Sequence, residues 1–310
     1  MNLETKLSKK QQSDFSLWVE GARLRTLPLA VAPIIAASGA ALAMQAFNLV
    51  RTLLALAVAL FLQIGVNYAN DYSDGIRGTD SNRVGPLRLT GSGTFKPRTV
   101  KFVAFAFLGL GALVGLVLVI LTAQWWLLAV GAVAVLAAWF YTGGKKPYGY
   151  AGLGELVVFI FFGLVAVIGT VYVQAPKLFE IPETWLVVSP VAVGLGLFAA
   201  AVLMINNIRD IETDAPVGKK TLAVRVGKTA AKIIYLLMIW APLAIGGIYL
   251  KINLLPAFIF PFALILLLLP LTLIVLTAKT PKENILALKL TSNAALIYSV
   301  LVALGLWKLV

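Results

Sequence analysis

Residues 50–74 read VRTLLALAVALFLQIGVNYANDYSD. An apolar run of roughly twenty residues, the length that crosses a hydrocarbon core of about 30 Å, ends in a polar cluster. That cluster is Asn67, Asn70, Asp71 and Asp74. Residues 184–214 do the same: TWLVVSPVAVGLGLFAAAVLMIN, then Asn207-Ile208-Arg209-Asp210-Ile211-Glu212-Thr213-Asp214. The runs are continuous, without the ten-residue alternation of a membrane β-barrel, so they read as helices whose backbone groups are satisfied internally.

The rest of the chain extends this pattern. Of 310 residues 60% are hydrophobic, with a mean hydropathy of +0.94. Nine spans are expected, at about 26–47, 50–73, 100–121, 125–141, 153–174, 184–206, 232–250, 256–277 and 287–308 by the twenty-residue rule. The expected fold class is all-α integral membrane, with nine transmembrane helices. Residues 1–25 form a cytoplasmic tail, and 26–310 form one transmembrane domain with polar loops at about 70–98 and 207–231. The first 25 residues are polar and carry no pattern of a cleaved signal peptide. Spans two and six, four apart, share the Asn/Asp ending and a basic loop, the mark of an internal repeat.

The net charge of +13 invites a nucleic-acid reading, which its distribution removes. With nine spans, all but four of the 26 Lys and Arg fall on one side; the exceptions are Arg51, Lys177, Lys251 and Lys308. The positive-inside rule makes the crowded side cytoplasmic. The expectation is therefore a multi-pass protein of the cell membrane in contact with lipid. Its N-terminus is inside, its C-terminus outside, and its site opens to the cytoplasm.

The chain has no Cys and no His. Thiol chemistry and imidazole catalysis are excluded, and any metal must be held by oxygen, which favours Mg²⁺. Only 13 acids occur, and six of them are Asp71, Asp74, Asp80, Asp210, Glu212 and Asp214. Acids near membrane helices default to function. On a helix Asn67, Asp71 and Asp74 share an arc of about 60°, and Asn206, Asp210 and Asp214 one of about 80°. Carboxylates so close repel unless a cation lies between them. Mg²⁺ is commonly held by one or two carboxylates plus phosphate oxygens. Two clusters on one side thus predict two Mg²⁺ ions, on Asp71 and Asp74 and on Asp210 and Asp214, clamping one diphosphate. Interfacial solvation or capping is the plain alternative for any one Asp.

Five stretches carry a family resemblance: Ala22-Arg23-Leu24-Arg25-Thr26-Leu27-Pro28, Asn67 to Asp80, Gly85-Pro86-Leu87-Arg88, Tyr141 to Glu155 (YTGGKKPYGYAGLGE) and Asn206 to Gly227 (NNIRDIETDAPVGKKTLAVRVG). Together they resemble the UbiA-type intramembrane prenyltransferases, and within them the branch acting on 1,4-dihydroxy-2-naphthoate in menaquinone synthesis. The resemblance implies nine helices around a cavity open to lipid, with a polyprenyl diphosphate and 1,4-dihydroxy-2-naphthoate as substrates. The allylic C–O bond ionises, the ring attacks, and loss of CO₂ and a proton restores aromaticity. The broader family often has a third Asp four positions after the second; here that position is Gly78 and the next acid is Asp80, whose metal role stays open.

An allylic cation needs a dry, electron-rich pocket, for which Tyr68, Tyr72, Tyr141, Phe159, Phe161 and Phe162 are candidates, with packing as the commoner use. Asn67, Asn70 and Asn206 extend the ligand stripes. Arg77, Arg88, Arg209, Lys219 and Lys220 are the diphosphate candidates, Arg for its bidentate geometry and Lys as a point charge; Arg77 and Lys220 rank first. Arg25 and Lys145 are assigned to the aromatic carboxylate, with lipid headgroups as their alternative. Rival readings are another acceptor such as 4-hydroxybenzoate, a CDP-alcohol phosphotransferase, whose signature is absent, and a cation-coupled transporter, whose acids would lie mid-membrane.

Overall fold

A computed structural model of the chain describes residues 14–79 and 88–307. Asp80 and the Gly85-Pro86-Leu87 stretch lie outside the described residues. Within them every regular element is helical. The helices are α1 (Asp14–Gly21), α2 (Pro28–Ala43), α3 (Leu49–Arg77), α4 (Pro97–Thr122), α5 (Leu127–Phe140), α6 (Gly154–Gln174), α7 (Pro182–Asp214), α8 (Leu222–Ile252), α9 (Leu255–Thr277) and α10 (Pro281–Trp307).

Local chemistry sets the ends. Asn48 caps α3 by accepting the Arg51 N–H, and Thr221 caps α8 by accepting that of Val224. Pro occupies the first turn of α2, α4 and α7, where its missing N–H costs nothing.

Seven of these helices, α3, α4 and α6 to α10, are long and apolar enough to cross a membrane, two fewer than the nine expected spans. The expected span at 26–47 is α2 with 16 residues; it passes only together with the segment Asp14–Thr26, from which it is bent by 48°. Within the preceding segment Arg23 stands in the left-handed region at φ 55°. The expected span at 125–141 is α5, whose 14 residues reach about 21 Å, short of a hydrocarbon core of about 30 Å.

The outer surface is apolar: Leu266 on α9 is 83% exposed and Phe102 on α4 is 74% exposed. In water such a belt would aggregate, so the outside of the bundle suits lipid. The interior is organised by α7, of whose most apolar stretch 72% is buried. It packs on α6, α8 and α10, while α3 packs mainly on α4 and α2 on α10. The middle of α6, Phe159–Ile168, is π-helical. There Gly163 meets α7 backbone to backbone: a Cβ would lie 2.5 Å from the Ala192 carbonyl oxygen and from Gly196 Cα. Small residues at such crossings supply the close packing that holds membrane helices together.

Candidate active site

Both acidic clusters end their helices in the same way. Gly78 stands four residues after Asp74 at φ 71°, and Gly218 stands four residues after Asp214 at φ 77°. In each case the next residue, Thr79 or Lys219, donates its backbone N–H to the Asp carbonyl. This left-handed closure favours Gly.

All four predicted Asp side chains are buried, with exposures of 1% for Asp71, 3% for Asp74, 5% for Asp210 and 7% for Asp214. Their partners differ. Asp71 accepts the backbone N–H of Leu89 and of Thr90, one on each oxygen, both at 2.8 Å. It therefore holds the turn that follows α3. Asp74 accepts from the Tyr150 hydroxyl at 2.7 Å and lies 4.0 Å from Arg88. Asp210 accepts a fork from its neighbour Arg209, with both bonds at 2.6 Å. Asp214 lies 3.5 Å from the Lys219 ammonium.

The two clusters meet at Tyr150, in the loop between α5 and α6. Its ring has the Arg77 guanidinium 5.4 Å away and the Lys219 ammonium 4.9 Å away, both cation–π contacts. Its carbonyl accepts the backbone N–H of Lys220. One tyrosine thus joins the end of α3 to the end of α7. Burial, with the charge of Asp74 adding to it, pushes the Tyr150 phenol well above the ordinary tyrosine range. It stays a proton donor at neutral pH.

The loop carrying Tyr150 is fastened on both sides. Asn70 accepts from the Thr142 hydroxyl at 2.8 Å, and Arg77 donates to the carbonyls of Thr142 and Gly144. Tyr148 donates to the Ala137 carbonyl at 2.8 Å, pinning the loop to α5. The Tyr141 phenol lies within electrostatic reach of Glu155, Asp74 and Asp214.

Other predicted residues take different posts. Asn67 donates to the Ala22 carbonyl and to Thr26, tying α3 to the segment before α2. Asn206 accepts from Arg209, while Asn207, not Asn206, is buried and donates to Glu155 at 2.9 Å. Lys219 faces inward, while Lys220, ranked above it in the sequence, is exposed. Lys145 and Arg25 are also exposed. Arg25 contributes its carbonyl, which accepts from Ser292 on α10.

The donor set fits Mg²⁺. It consists of hard carboxylate oxygens, with Arg or Lys beside Asp74, Asp210 and Asp214. Among the described residues no three acidic groups converge on one point. Mg²⁺ is commonly held by one or two carboxylates with phosphate oxygens filling the remaining positions.

A family model described as the UbiA prenyltransferase family matches residues 30–307. The chain belongs to this family. It is 55% identical over 223 residues to the 1,4-dihydroxy-2-naphthoate octaprenyltransferase of Mycobacterium tuberculosis, covering 72% of this chain and 74% of that protein. It is 40% identical over 232 residues to the enzyme of the same name from Escherichia coli, covering 73% of each chain. The fold matches that of a UbiA homolog from Archaeoglobus fulgidus solved with GPP and Mg²⁺, with a TM-score of 0.59, 15% identity and coverage of 93% of this chain and 99% of that one.

Within this UbiA-family fold, Tyr150, Glu155 and Asn207 are the site residues that helical spacing did not single out. Tyr150 and Glu155 lie in the YTGGKKPYGYAGLGE stretch, where three tyrosines and one acid crowd into fifteen residues. Asn207 lies within about 60° of arc of Asp210 and Asp214 on α7, a tighter stripe than the one built on Asn206.

Proposed function

We propose that this chain transfers a polyprenyl group from a polyprenyl diphosphate to 1,4-dihydroxy-2-naphthoate, releasing diphosphate and CO₂ and giving a demethylmenaquinol. The observation that carries the reading is the meeting of two buried acidic helix ends and their basic partners around Tyr150. The acceptor follows from the relatives' names. The protein crosses the cell membrane nine times, with a single domain over residues 26–310, its N-terminus cytoplasmic and its site on the cytoplasmic side. The sidedness of Lys and Arg supports that topology.

Asp74, Asp210 and Asp214 would hold Mg²⁺, as two ions, which when bound neutralises charge developing on the leaving diphosphate. Asp71 shapes the Leu89–Thr90 turn and thereby sets Arg88 against Asp74. Lys219 and Arg88, each within 4.0 Å of a cluster carboxylate, are placed to counter diphosphate charge. Tyr150 orients Asp74 by its hydrogen bond. The burial of the site keeps water from an allylic cation. Attack by the ring carbon bearing the carboxylate forms the C–C bond as the allylic C–O bond breaks. The carboxylate then leaves as CO₂, and its electron pair restores aromaticity.

Purified protein with Mg²⁺ and polyprenyl diphosphate is expected to turn over the naphthoate, and EDTA to stop it until Mg²⁺ is restored. Full activity in EDTA would remove the metal. Turnover of 4-hydroxybenzoate but not the naphthoate would reassign the acceptor.

A further inference from the structure

Glu155 opens α6 and is 3% exposed. Its Oε1 accepts from Asn207 at 2.9 Å. Its Oε2 is buried and has no hydrogen-bond partner. The Asn207 contact alone is ordinary polar glue between two membrane helices, and it uses one oxygen. The second oxygen is the anomaly, because a buried acceptor without a donor bears its full desolvation penalty.

Its place says what the missing donor is. Asn207 lies seven residues before Asp214 on α7, which is about 10 Å along the axis and nearly the same direction around it. Glu155 is therefore on the membrane side of the acidic clusters. The Tyr141 ring packs beside Gly154, where a Cβ would lie 3.4 Å from it, and its phenol has Glu155, Asp74 and Asp214 as electrostatic neighbours. A diphosphate at the clusters sends its allylic carbon toward the membrane, since the prenyl tail is apolar. The ring that attacks this carbon then lies at the depth of Glu155.

We infer that Glu155 Oε2 accepts a hydrogen bond from a ring hydroxyl of the aromatic acceptor. The inference rests on the prenyl-transfer reading above. When the ring carbon next to the hydroxyl bonds to the allylic carbon, positive charge spreads onto the hydroxyl oxygen. A carboxylate accepting that O–H stabilises this charge. The proton stays with the acceptor oxygen once CO₂ has left, so no net proton transfer is needed. The contact also orients the ring, and a binding site built around a hydroxyl discriminates against aromatics that lack one.

Glu155→Gln tests this, because the amide keeps the Oε1 acceptor for Asn207 and replaces Oε2 with a donor. Steady-state kinetics of the full chain, with prenyl diphosphate and Mg²⁺, are compared for 1,4-dihydroxy-2-naphthoate and for its methyl ether at the hydroxyl beside the carboxylate. The expected result is a fall in kcat/KM for the naphthoate of about 100-fold. The KM for prenyl diphosphate and the thermal midpoint stay at their unaltered values, and the ether reacts equally slowly with both proteins. Unchanged kcat/KM in Glu155→Gln would overturn the inference. So would a loss shared equally by both substrates together with a lower thermal midpoint, which would assign Glu155 to helix contact. If the unaltered chain uses a different hydroxylated aromatic, the naphthoate assignment falls. The same comparison on that acceptor then decides the role of Glu155.

Discussion

Asp74→Asn and Asp214→Asn will each slow diphosphate release about a thousand-fold while leaving helix content and thermal midpoint close to those of the unaltered chain. Each change is isosteric. The amide in Asp74→Asn keeps an oxygen for the Tyr150 hydroxyl, now 2.7 Å from Asp74. The amide in Asp214→Asn keeps one facing Lys219, now 3.5 Å from Asp214. What is lost is a full negative charge at a buried position that would hold a divalent ion. The loss falls on the transition state, where charge builds on the leaving group. It therefore appears in kcat, and raising the Mg²⁺ concentration recovers only part of it. Wild-type rates in either variant would sink the metal clamp.

Asp71 differs from the other three, and its removal should act through folding. Its two oxygens are held by fixed backbone N–H groups of Leu89 and Thr90 at 2.8 Å each, whereas those of Asp210 face the Arg209 side chain, which can turn to a diphosphate. Asp71→Ala strands two buried N–H groups, so a loss on the order of 3 kcal/mol is expected, read as a lower thermal midpoint in detergent. Activity falls with it, because the released turn no longer sets Arg88 against Asp74. Asp71→Asn retains one of the two acceptors and loses less. The discriminating measurement is the Mg²⁺ concentration for half-maximal activity, which should stay put in Asp71→Asn and rise in Asp74→Asn. An equal rise in both variants would make Asp71 a ligand and undo the reading of the turn.

Spacing along the sequence treated Asp71 and Asp74 as equivalent, since both lie on the same stripe of α3. The difference comes from a turn 18 and 19 residues away, which helical periodicity does not register. Tyr150 and Glu155 escaped for the same reason: their partners Asp74 and Asn207 are 76 and 52 residues distant. Lys219 and Lys220 are neighbours, and only the pairing of the Lys220 N–H with the Tyr150 carbonyl fixes which side chain turns inward. The apolar runs and the acidic helix ends, by contrast, were legible because each is contiguous. α2 and α5, with 16 and 14 residues, are shorter than the spans expected at 26–47 and 125–141. The backbone turns at Arg23, ahead of α2, and at Gly144, behind α5, with φ of 55° and 73°.

The central claim is that one site couples prenyl transfer to loss of the acceptor's carboxylate. Its most direct test is the stoichiometry of products from carboxyl-labelled 1,4-dihydroxy-2-naphthoate with a polyprenyl diphosphate and Mg²⁺ in purified protein. Labelled CO₂, diphosphate and prenylated quinol are expected to be released one to one to one. Diphosphate released without CO₂, or CO₂ released without a prenylated product, would contradict it.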